Sequence, residues 1–256
     1  MEELLYKVEN HVATITINRP QYSNAYNAAV WNGMVSLLWQ ANHDDDVWCI
    51  VITGSGDRAF CAGADLKEMR EKPDVVNLYL PDCPGKSMYE ALLETYKPTI
   101  AALNGSAIGG GLEIALAADI RIAADDVKLC FPEAKRGLGC SFGVAILPRL
   151  IPYAVAMEFL YLGEYHTAKE MERWGLINKC VPREDFQKTV DEYTSKIVNN
   201  APITERYYKH MAAKGRTLPI TDAYRLAVGP NPYTSEDRRE GVSAYVEKRP
   251  PVWKNK

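Results

Sequence analysis

The chain has 256 residues, of which 47% are hydrophobic and 25% charged, the balance of a globular protein with a sizeable core. Its formal net charge of −3 argues against nucleic acid or an anionic membrane as a partner. The six cysteines are scattered and the four histidines form no HExxH motif, so we expect neither a disulfide framework nor a metal site. We find no signal peptide and no apolar run of membrane-spanning length, so cytoplasm is the predicted location.

The first elements predict an α/β protein. Residues 5–18 alternate apolar and polar side chains around a turn at residues 9–11, the pattern of a β-hairpin. Asn27 is a suitable N-cap for the amphipathic helix that follows it, and residues 47–53 predict a buried strand. Asp65 can cap a second, charged helix. Strands that alternate with helices in this way are typical of a core with parallel strand pairing.

The proline-rich residues 73–85 predict a mobile loop over a site. From Gly143 onward the pattern becomes mostly helical. Further strands are predicted at residues 99–103, 120–123, 128–131 and 176–181, and further helices at residues 87–96, 167–174, 185–200, 204–214, 222–228 and 235–246. We find neither an internal repeat nor a low-complexity segment.

A glycine-rich stretch at residues 105–119, GSAIGGGLEIALAAD, follows an apolar segment that predicts a buried strand. A helix that begins on glycines offers unpaired N–H groups and the positive end of its dipole, and no Cβ blocks a ligand there. Glu113 lies on roughly the same helical face as Gly110, and an acid on an apolar helix costs stability unless it is paired or used. Two interpretations stay open: a plain strand-to-helix turn, or a ligand site.

Three predicted loops each leave the end of an apolar strand. They carry residues 61–65, residues 109–113, and Glu133 with its flanking residues. Two of these loops have small residues at a helix start, which suits backbone N–H donors aimed at one oxygen, and two carry a carboxylate. Paired donors stabilise the enolate oxygen as charge develops beside a carbonyl, and paired acids move the protons. The pattern therefore favours proton transfer next to a carbonyl group.

Three segments resemble the signature segments of the crotonase (enoyl-CoA hydratase/isomerase) superfamily: CAGADL, NGSAIGGGLEIALAADIRIA and FPEAKRGLG. The resemblance runs from the ITINRP hairpin to the terminal SEDRREGVSAYVEKRPPVW. It implies the α/β crotonase-like (ClpP/crotonase) fold, a spiral of β-β-α turns with a helical C-terminal trimerisation region. We predict the spiral core over residues 1–195 and the C-terminal helical region over residues 196–256. Relatives usually assemble as homotrimers or dimers of trimers.

The resemblance also implies roles for individual residues. Ala64 and Gly110 match the two oxyanion-hole residues, whose backbone N–H groups bind the thioester carbonyl. Glu113 and Glu133 match the two catalytic acids of the hydratases, which hold one water between them. Glu133 is expected to exchange the proton of the α-carbon, and Glu113 to activate the water that adds at the β-carbon. From the residues alone, Glu113 could instead be a plain helix acid and Glu133 a surface acid.

Further residues are expected to bind the acyl group or CoA. Phe142 adds bulk near the acyl pocket, and Tyr26 replaces an aliphatic residue common in relatives, where it could line the pocket, donate a hydrogen bond or simply pack. Ser141 stands where some isomerases carry an acid, which disfavours a pure isomerase. The expected substrate- and CoA-binding residues are Ala62, Asp65, Leu66, Lys67, Gly109, Tyr26, Ser141 and Phe142.

The resemblance predicts an enoyl-CoA hydratase that adds water across the C2–C3 double bond of a 2-enoyl-CoA, in acyl-CoA metabolism. The acyl group could be branched, cyclic or crotonobetainyl-like. No metal or redox cofactor is expected, because the thioester itself is the electron sink and CoA is part of the substrate. The alternatives are a cyclic dienoyl-CoA hydratase or an enoyl-CoA isomerase, and, from another class, a non-catalytic relative that binds CoA thioesters or RNA.

Overall fold

The computed structural model describes residues 2–79 and 85–256, except for the side chains of residues 76–78. The predicted mobile loop at residues 73–85 lies partly outside the described residues. Its first part, Pro73–Tyr79, forms a 3₁₀ helix. Within the described ranges, no helix has both the length and the apolar character needed to cross a membrane.

Ten strands of the described chain form two sheets. In spatial order, the first sheet contains β1 (Leu4–Glu9), β2 (Val12–Ile17), β3 (Cys49–Gly54), β5 (Thr99–Leu103), β7 (Ile120–Ala124) and β10 (Lys179–Val181). The second sheet contains β4 (Ala59–Cys61), β6 (Ser106–Ile108), β8 (Lys128–Cys130) and β9 (His166–Thr167). Only the pairs β1–β2 and β8–β9 are antiparallel.

The helices of the described ranges lie between the strands along the chain and, toward its end, follow one another. They are α1 (Ala28–His43), α2 (Leu66–Glu71), α3 (Met88–Leu93), α4 (Gly110–Ala117), α5 (Ser141–Leu150), α6 (Tyr153–Leu162), α7 (Ala168–Arg173), α8 (Phe186–Val198), α9 (Pro202–Gly215), α10 (Ile220–Tyr224) and α11 (Glu236–Glu247). The predicted division between residues 195 and 196 falls inside α8 and stays a prediction.

The central part of the chain winds as a spiral between the two sheets. Three times in succession, one strand enters the first sheet, the next enters the second sheet, and a helix follows: β3–β4–α2, β5–β6–α4 and β7–β8–α5. Because each turn repeats the same path, its strands pair in parallel with those of the preceding turn. The predicted α/β spiral of β-β-α turns is confirmed.

Local sequence signals explain several element boundaries. The β1–β2 loop consists of Asn10 and His11 with φ of 48° and 65°, the left-handed backbone that a two-residue hairpin turn requires. Asn27 caps α1 as predicted, since its side chain accepts a hydrogen bond from the Val30 N–H at 2.9 Å. Thr167 and Glu170 form a capping box at the start of α7. These elements were predictable because their signals are local.

Two parts of the strand pattern differ from the prediction. Most strands of the second sheet were not predicted, because β4, β6 and β9 have only two or three residues and show no periodicity. The strand predicted over residues 176–181 is shorter, because the first part of that segment completes the end of α7. Leu176 and Ile177 both donate to the Met171 carbonyl, and pairing begins only at Lys179.

Glycine is required between β5 and β6, where the second turn of the spiral passes from the first sheet to the second. A Cβ on Gly105 would lie 2.4 Å from the backbone nitrogen of Ala59 in the preceding turn. We expect Gly105→Ala to lower the free energy of unfolding by about 1–3 kcal/mol, because backbone atoms cannot move aside. Gly139→Ala is the control, since a Cβ there meets no atom within 4 Å. Urea denaturation of both variants measures the effect, and equal stabilities would contradict it.

Candidate active site

A cavity of 560 Å³ lies where α2, the first turn of α4 and the 3₁₀ helix Glu133–Arg136 meet. Every predicted site residue except Phe142 lines it: Tyr26, Ala62, Ala64, Asp65, Leu66, Lys67, Gly109, Gly110, Glu113, Glu133 and Ser141. Phe142 instead stacks on the ring of Tyr89, which does line the cavity, at a centroid distance of 5.1 Å. A second cavity of 540 Å³, between the first sheet and α8, contains none of the predicted residues.

The backbone of Tyr26 fixes the orientation of Ala64. The Tyr26 N–H donates to the Gly63 carbonyl at 2.8 Å, and the Asp65 N–H donates to the Tyr26 carbonyl at 2.8 Å. In such a parallel bridge, the residue between the two bonded neighbours turns its own N–H and C=O to the opposite side. The Ala64 amide therefore points away from Tyr26.

Gly110 is the first residue of α4, so its N–H has no acceptor within the helix. The segment that carries Ala64 packs directly against it. Gly63 has φ of +89°, and a Cβ at that position would lie 3.3 Å from the Gly110 nitrogen and 2.9 Å from the Ile108 carbonyl oxygen. Glycine at residue 63 thus permits the close approach of the two segments, a requirement that the sequence analysis missed.

Gly109 provides the space for Glu133. A Cβ on Gly109 would lie 2.3 Å from Glu133 Oε1, and the φ of +55° at Gly109 already disfavours other residues. The sequence analysis expected the glycine run to admit a ligand. The structure shows a second role, because the lack of a Cβ at Gly109 also lets one of the two predicted acids, Glu133, pack against the start of α4.

The Glu113 carboxylate is buried and is held from the start of α5. Its Oε1 accepts a hydrogen bond from the Gly143 N–H at 2.6 Å and one from the Cys140 thiol at 3.4 Å. Both of these bonds go to Oε1, and the side chain lines the cavity. Gly143 was not identified from the sequence, because its contact with Glu113 spans 30 residues and has no local signal.

Glu133 is not a surface acid, since its Oε2 is buried and has no hydrogen-bond partner among the described residues. Burial raises the pKa of its carboxyl group to about 7, the charge of Glu113 adds to the increase, and Arg136 opposes it. A carboxyl group that titrates near neutrality can both release and accept a proton at physiological pH. Its chemistry therefore fits the acid–base role expected from the sequence.

Asp65 uses both carboxylate oxygens to hold the loop that carries Ala64. Oδ1 accepts from the N–H groups of Lys67 and Glu68 at the start of α2, which confirms the predicted cap. Oδ2 accepts from Arg19 Nη2 at 3.0 Å, and both of these side chains are buried. These bonds hold the turn in place. Because they use both carboxylate oxygens, Asp65 has a structural role in the cavity wall.

Known proteins resemble this chain along nearly its whole length. A family model described as enoyl-CoA hydratase/isomerase matches residues 7–256. The (E)-benzylidenesuccinyl-CoA hydratase of Thauera aromatica is 35% identical over 97% of this chain and 97% of its own. The carnitinyl-CoA dehydratase of Salmonella typhi is 35% identical over 100% of both chains.

Solved structures agree with these sequence matches. The crystal structure of enoyl-CoA hydratase from Bacillus anthracis superposes with a TM-score of 0.88 and 30% identity. The match covers 100% of both chains, so the similarity includes the spiral and the C-terminal helices alike.

Proposed function

The chain belongs to the enoyl-CoA hydratase/isomerase family, and from that premise we propose that it adds water reversibly across the C2–C3 double bond of a 2-enoyl-CoA. The observation that carries the proposal is the meeting of two carboxyl groups, Glu113 and Glu133, with the backbone of Ala64 and Gly110 in one cavity. The relatives from Thauera aromatica and Salmonella typhi act on CoA thioesters by adding or removing water, as their names state.

In the proposed reaction, the thioester carbonyl accepts hydrogen bonds from the N–H groups of Ala64 and Gly110. These amides stabilise the enolate oxygen as negative charge moves onto it, and they need no reorganisation because the backbone fixes them. The dipole of α4 favours the same charge at its N-terminus. No metal or redox cofactor is part of the proposal, so we expect the rate to be unchanged by a chelator.

The two acids divide the proton transfers. Ionised Glu113 accepts a proton from water as the oxygen bonds to C3, and protonated Glu133 donates its proton to C2, which gives syn addition. The pair then holds one proton on Glu113 instead of on Glu133. Both directions of the reaction therefore use a pair that carries one proton in total.

This proton count sets the expected pH dependence. Hydration has no net proton change, so kcat/KM must vary with pH in the same way in both directions. With the pKa of Glu133 raised to about 7, the protonated Glu133 that the reaction needs is present below that pH and is lost above it. We expect kcat/KM with crotonyl-CoA and with 3-hydroxybutyryl-CoA to fall about tenfold per pH unit above roughly pH 7. A rate that stays constant up to pH 9 would contradict this assignment.

The proposed function is tested by following the decrease in absorbance of crotonyl-CoA in water enriched in oxygen-18 and then analysing the product for oxygen-18. Hydration incorporates solvent oxygen into the product, whereas double-bond migration incorporates none. A product without solvent oxygen would replace the hydratase by an isomerase that uses the same site. Binding of CoA thioesters without any turnover would identify a non-catalytic relative.

Assembly and location complete the proposal. We propose a homotrimer or a dimer of trimers, supported by the strongly exposed apolar side chains Ile220, Tyr224 and Tyr245 in the predicted C-terminal region. Sedimentation equilibrium tests this, and a monomeric mass would contradict it.

A cytoplasmic location is supported by the free thiols of all five cysteines in the described chain, since disulfides form in oxidising compartments.

A further inference from the structure

A very short piece of parallel pairing sets the direction of the Ala64 amide. The bridge between Tyr26 and Ala64 lies outside the ten strands of the described chain and consists of the two backbone bonds given above. Successive residues of a paired segment point their N–H groups to opposite sides, so a slip by one residue would reverse the Ala64 amide. Two hydrogen bonds alone are a weak constraint on a group whose direction matters for the reaction.

Arg19 lies across this bridge and bonds both of the paired segments. On one segment, its Nη1 donates to the carbonyl of Ala25, the residue before Tyr26. On the other, its Nη2 donates at 3.0 Å to Oδ2 of Asp65, the residue after Ala64. A planar guanidinium group presents its N–H donors in fixed directions. It therefore resists both separation and sliding of the two segments.

Buried contacts fix the position of Arg19 itself. Its side chain is 7% exposed, a Glu3 carboxylate oxygen lies 3.2 Å from Nε, and the guanidinium carbon lies 4.6 Å from the ring centroid of Tyr22. Asn24 holds the backbone, because its Oδ1 accepts from the Arg19 N–H at 3.0 Å. The Nδ2 of Asn24 donates to the Ala59 carbonyl in β4 at 2.7 Å. The guanidinium group cannot leave the bridge without losing these contacts.

The bond to the Ala25 carbonyl separates this arrangement from simple charge neutralisation. Asp65 and Glu3 already supply two carboxylates to the guanidinium group. The carbonyl adds no charge, and the effect of its bond is to tie the Tyr26 segment to the loop that carries Ala64. Backbone donors stabilise a developing oxyanion without reorganisation only when their directions are held before the substrate binds.

We propose that Arg19 is a positioning residue of the oxyanion hole, which fixes the direction of the Ala64 N–H by joining the Ala25 carbonyl to the Asp65 carboxylate. This inference rests on the proposed hydratase function for its substrate, a CoA thioester. It adds a residue that the sequence analysis did not identify, in the N-terminal hairpin segment. It also gives Asp65 a role beyond the cap of α2, since its second oxygen is one end of this link.

Two variants break the link on different sides. In Arg19→Lys, a single ammonium group keeps the positive charge but lacks the planar pair of donors that reaches both segments. In Asp65→Asn, the amide oxygen can still cap α2, while the amide nitrogen cannot accept from Arg19. We expect each variant to lower kcat with crotonyl-CoA about tenfold, less than the 10²–10³-fold of a lost oxyanion donor, because the N–H is misdirected and not removed. The double variant should be no slower than the slower single variant.

The infrared spectrum of bound butanoyl-CoA, labelled with carbon-13 at the thioester carbonyl, reads the amide direction without turnover. Hydrogen bonds from the two amides should lower the carbonyl stretching frequency on binding to the wild type, and we expect this shift to fall to about half in either variant. The control is Arg183→Lys, because Arg183 pairs with Asp126 through an Nε–Oδ2 bond of 2.8 Å and neither residue lines the cavity. It should keep both the wild-type rate and the wild-type frequency.

A variant that loses stability to urea but keeps the wild-type carbonyl shift would overturn the proposal, since Arg19 would then be a structural residue only. If Arg19→Lys fails to fold, Asp65→Asn gives the same readout and decides the question. A carbonyl shift that depends on Arg19, in a protein that does not hydrate crotonyl-CoA, would support the positioning role and contradict the hydratase function. A wild-type protein that leaves the carbonyl frequency unchanged would overturn both.

Discussion

Glu133→Gln is expected to lower kcat for enoyl-CoA hydration by about 10²–10⁴-fold, the usual contribution of a positioned acid or base. Glutamine keeps the size of the side chain, but it cannot give a proton to C2. The same range is expected for Glu113→Gln, which removes the base that activates water. Both changes should alter KM only a few fold, because an isosteric neutral side chain leaves the shape of the cavity unchanged. Initial rates with crotonyl-CoA measure kcat and KM together.

Glu158→Gln is the matched control, since Glu158 is an exposed carboxylate on α6, outside the cavity. It should keep the wild-type rate. Near wild-type hydration by either Glu113→Gln or Glu133→Gln would show that the reaction does not need both acids. A large rise in KM with an unchanged kcat would instead assign the residue to ground-state binding.

Gly109→Ala is expected to lower kcat by about 10²-fold, although Gly109 supplies no chemical group of its own. The new Cβ would lie 2.3 Å from Glu133 Oε1, so the carboxyl group must move or the start of α4 must shift. A displacement of about 1 Å at a reacting group commonly costs this much in rate. The φ of +55° at Gly109 adds strain for any other residue.

The double variant Gly109→Ala/Glu133→Gln distinguishes this mechanism from a general loss of structure. If alanine at residue 109 acts through the Glu133 carboxyl, the double variant should be about as active as Glu133→Gln alone, because the group being displaced is already inactive. Additive losses would show that the substitution acts by another route. Gly139→Ala, whose Cβ meets open space, should remain close to the wild type in stability and serves as the folding control.

The parts of the fold that the sequence predicts are those with short-range signals. The hairpin turn at Asn10, the caps at Asn27 and Asp65, and the buried strands of the first sheet all follow from neighbouring residues. The short strands of the second sheet follow only from the spiral path, which brings distant segments side by side. Their pairing could not be read from periodicity.

The same division applies to the site. Glu113 and Glu133 were identifiable because they lie in motifs that resemble a known family, and the cavity brings them together. The groups that hold Glu113 were not identifiable, since Gly143 and Cys140 bond it across 30 and 27 residues of sequence. Such contacts depend on tertiary packing, so their identification needed the structure.

The main-chain origin of the two proposed donors has an evolutionary consequence. A point mutation at residue 64 or 110 changes a side chain but cannot delete the N–H group, as long as the residue is not proline. The donor at residue 64 is therefore kept through side-chain changes, and the donor at residue 110 is kept in place as long as the residue stays glycine, since a Cβ there would lie 2.2 Å from the Tyr26 hydroxyl oxygen. Each acid, in contrast, is lost by any codon change that removes its carboxyl group. Proteins that descend from this gene should therefore lose catalytic turnover more readily than the ability to bind CoA thioesters. A duplicated copy would need few substitutions to become a thioester-binding protein without activity.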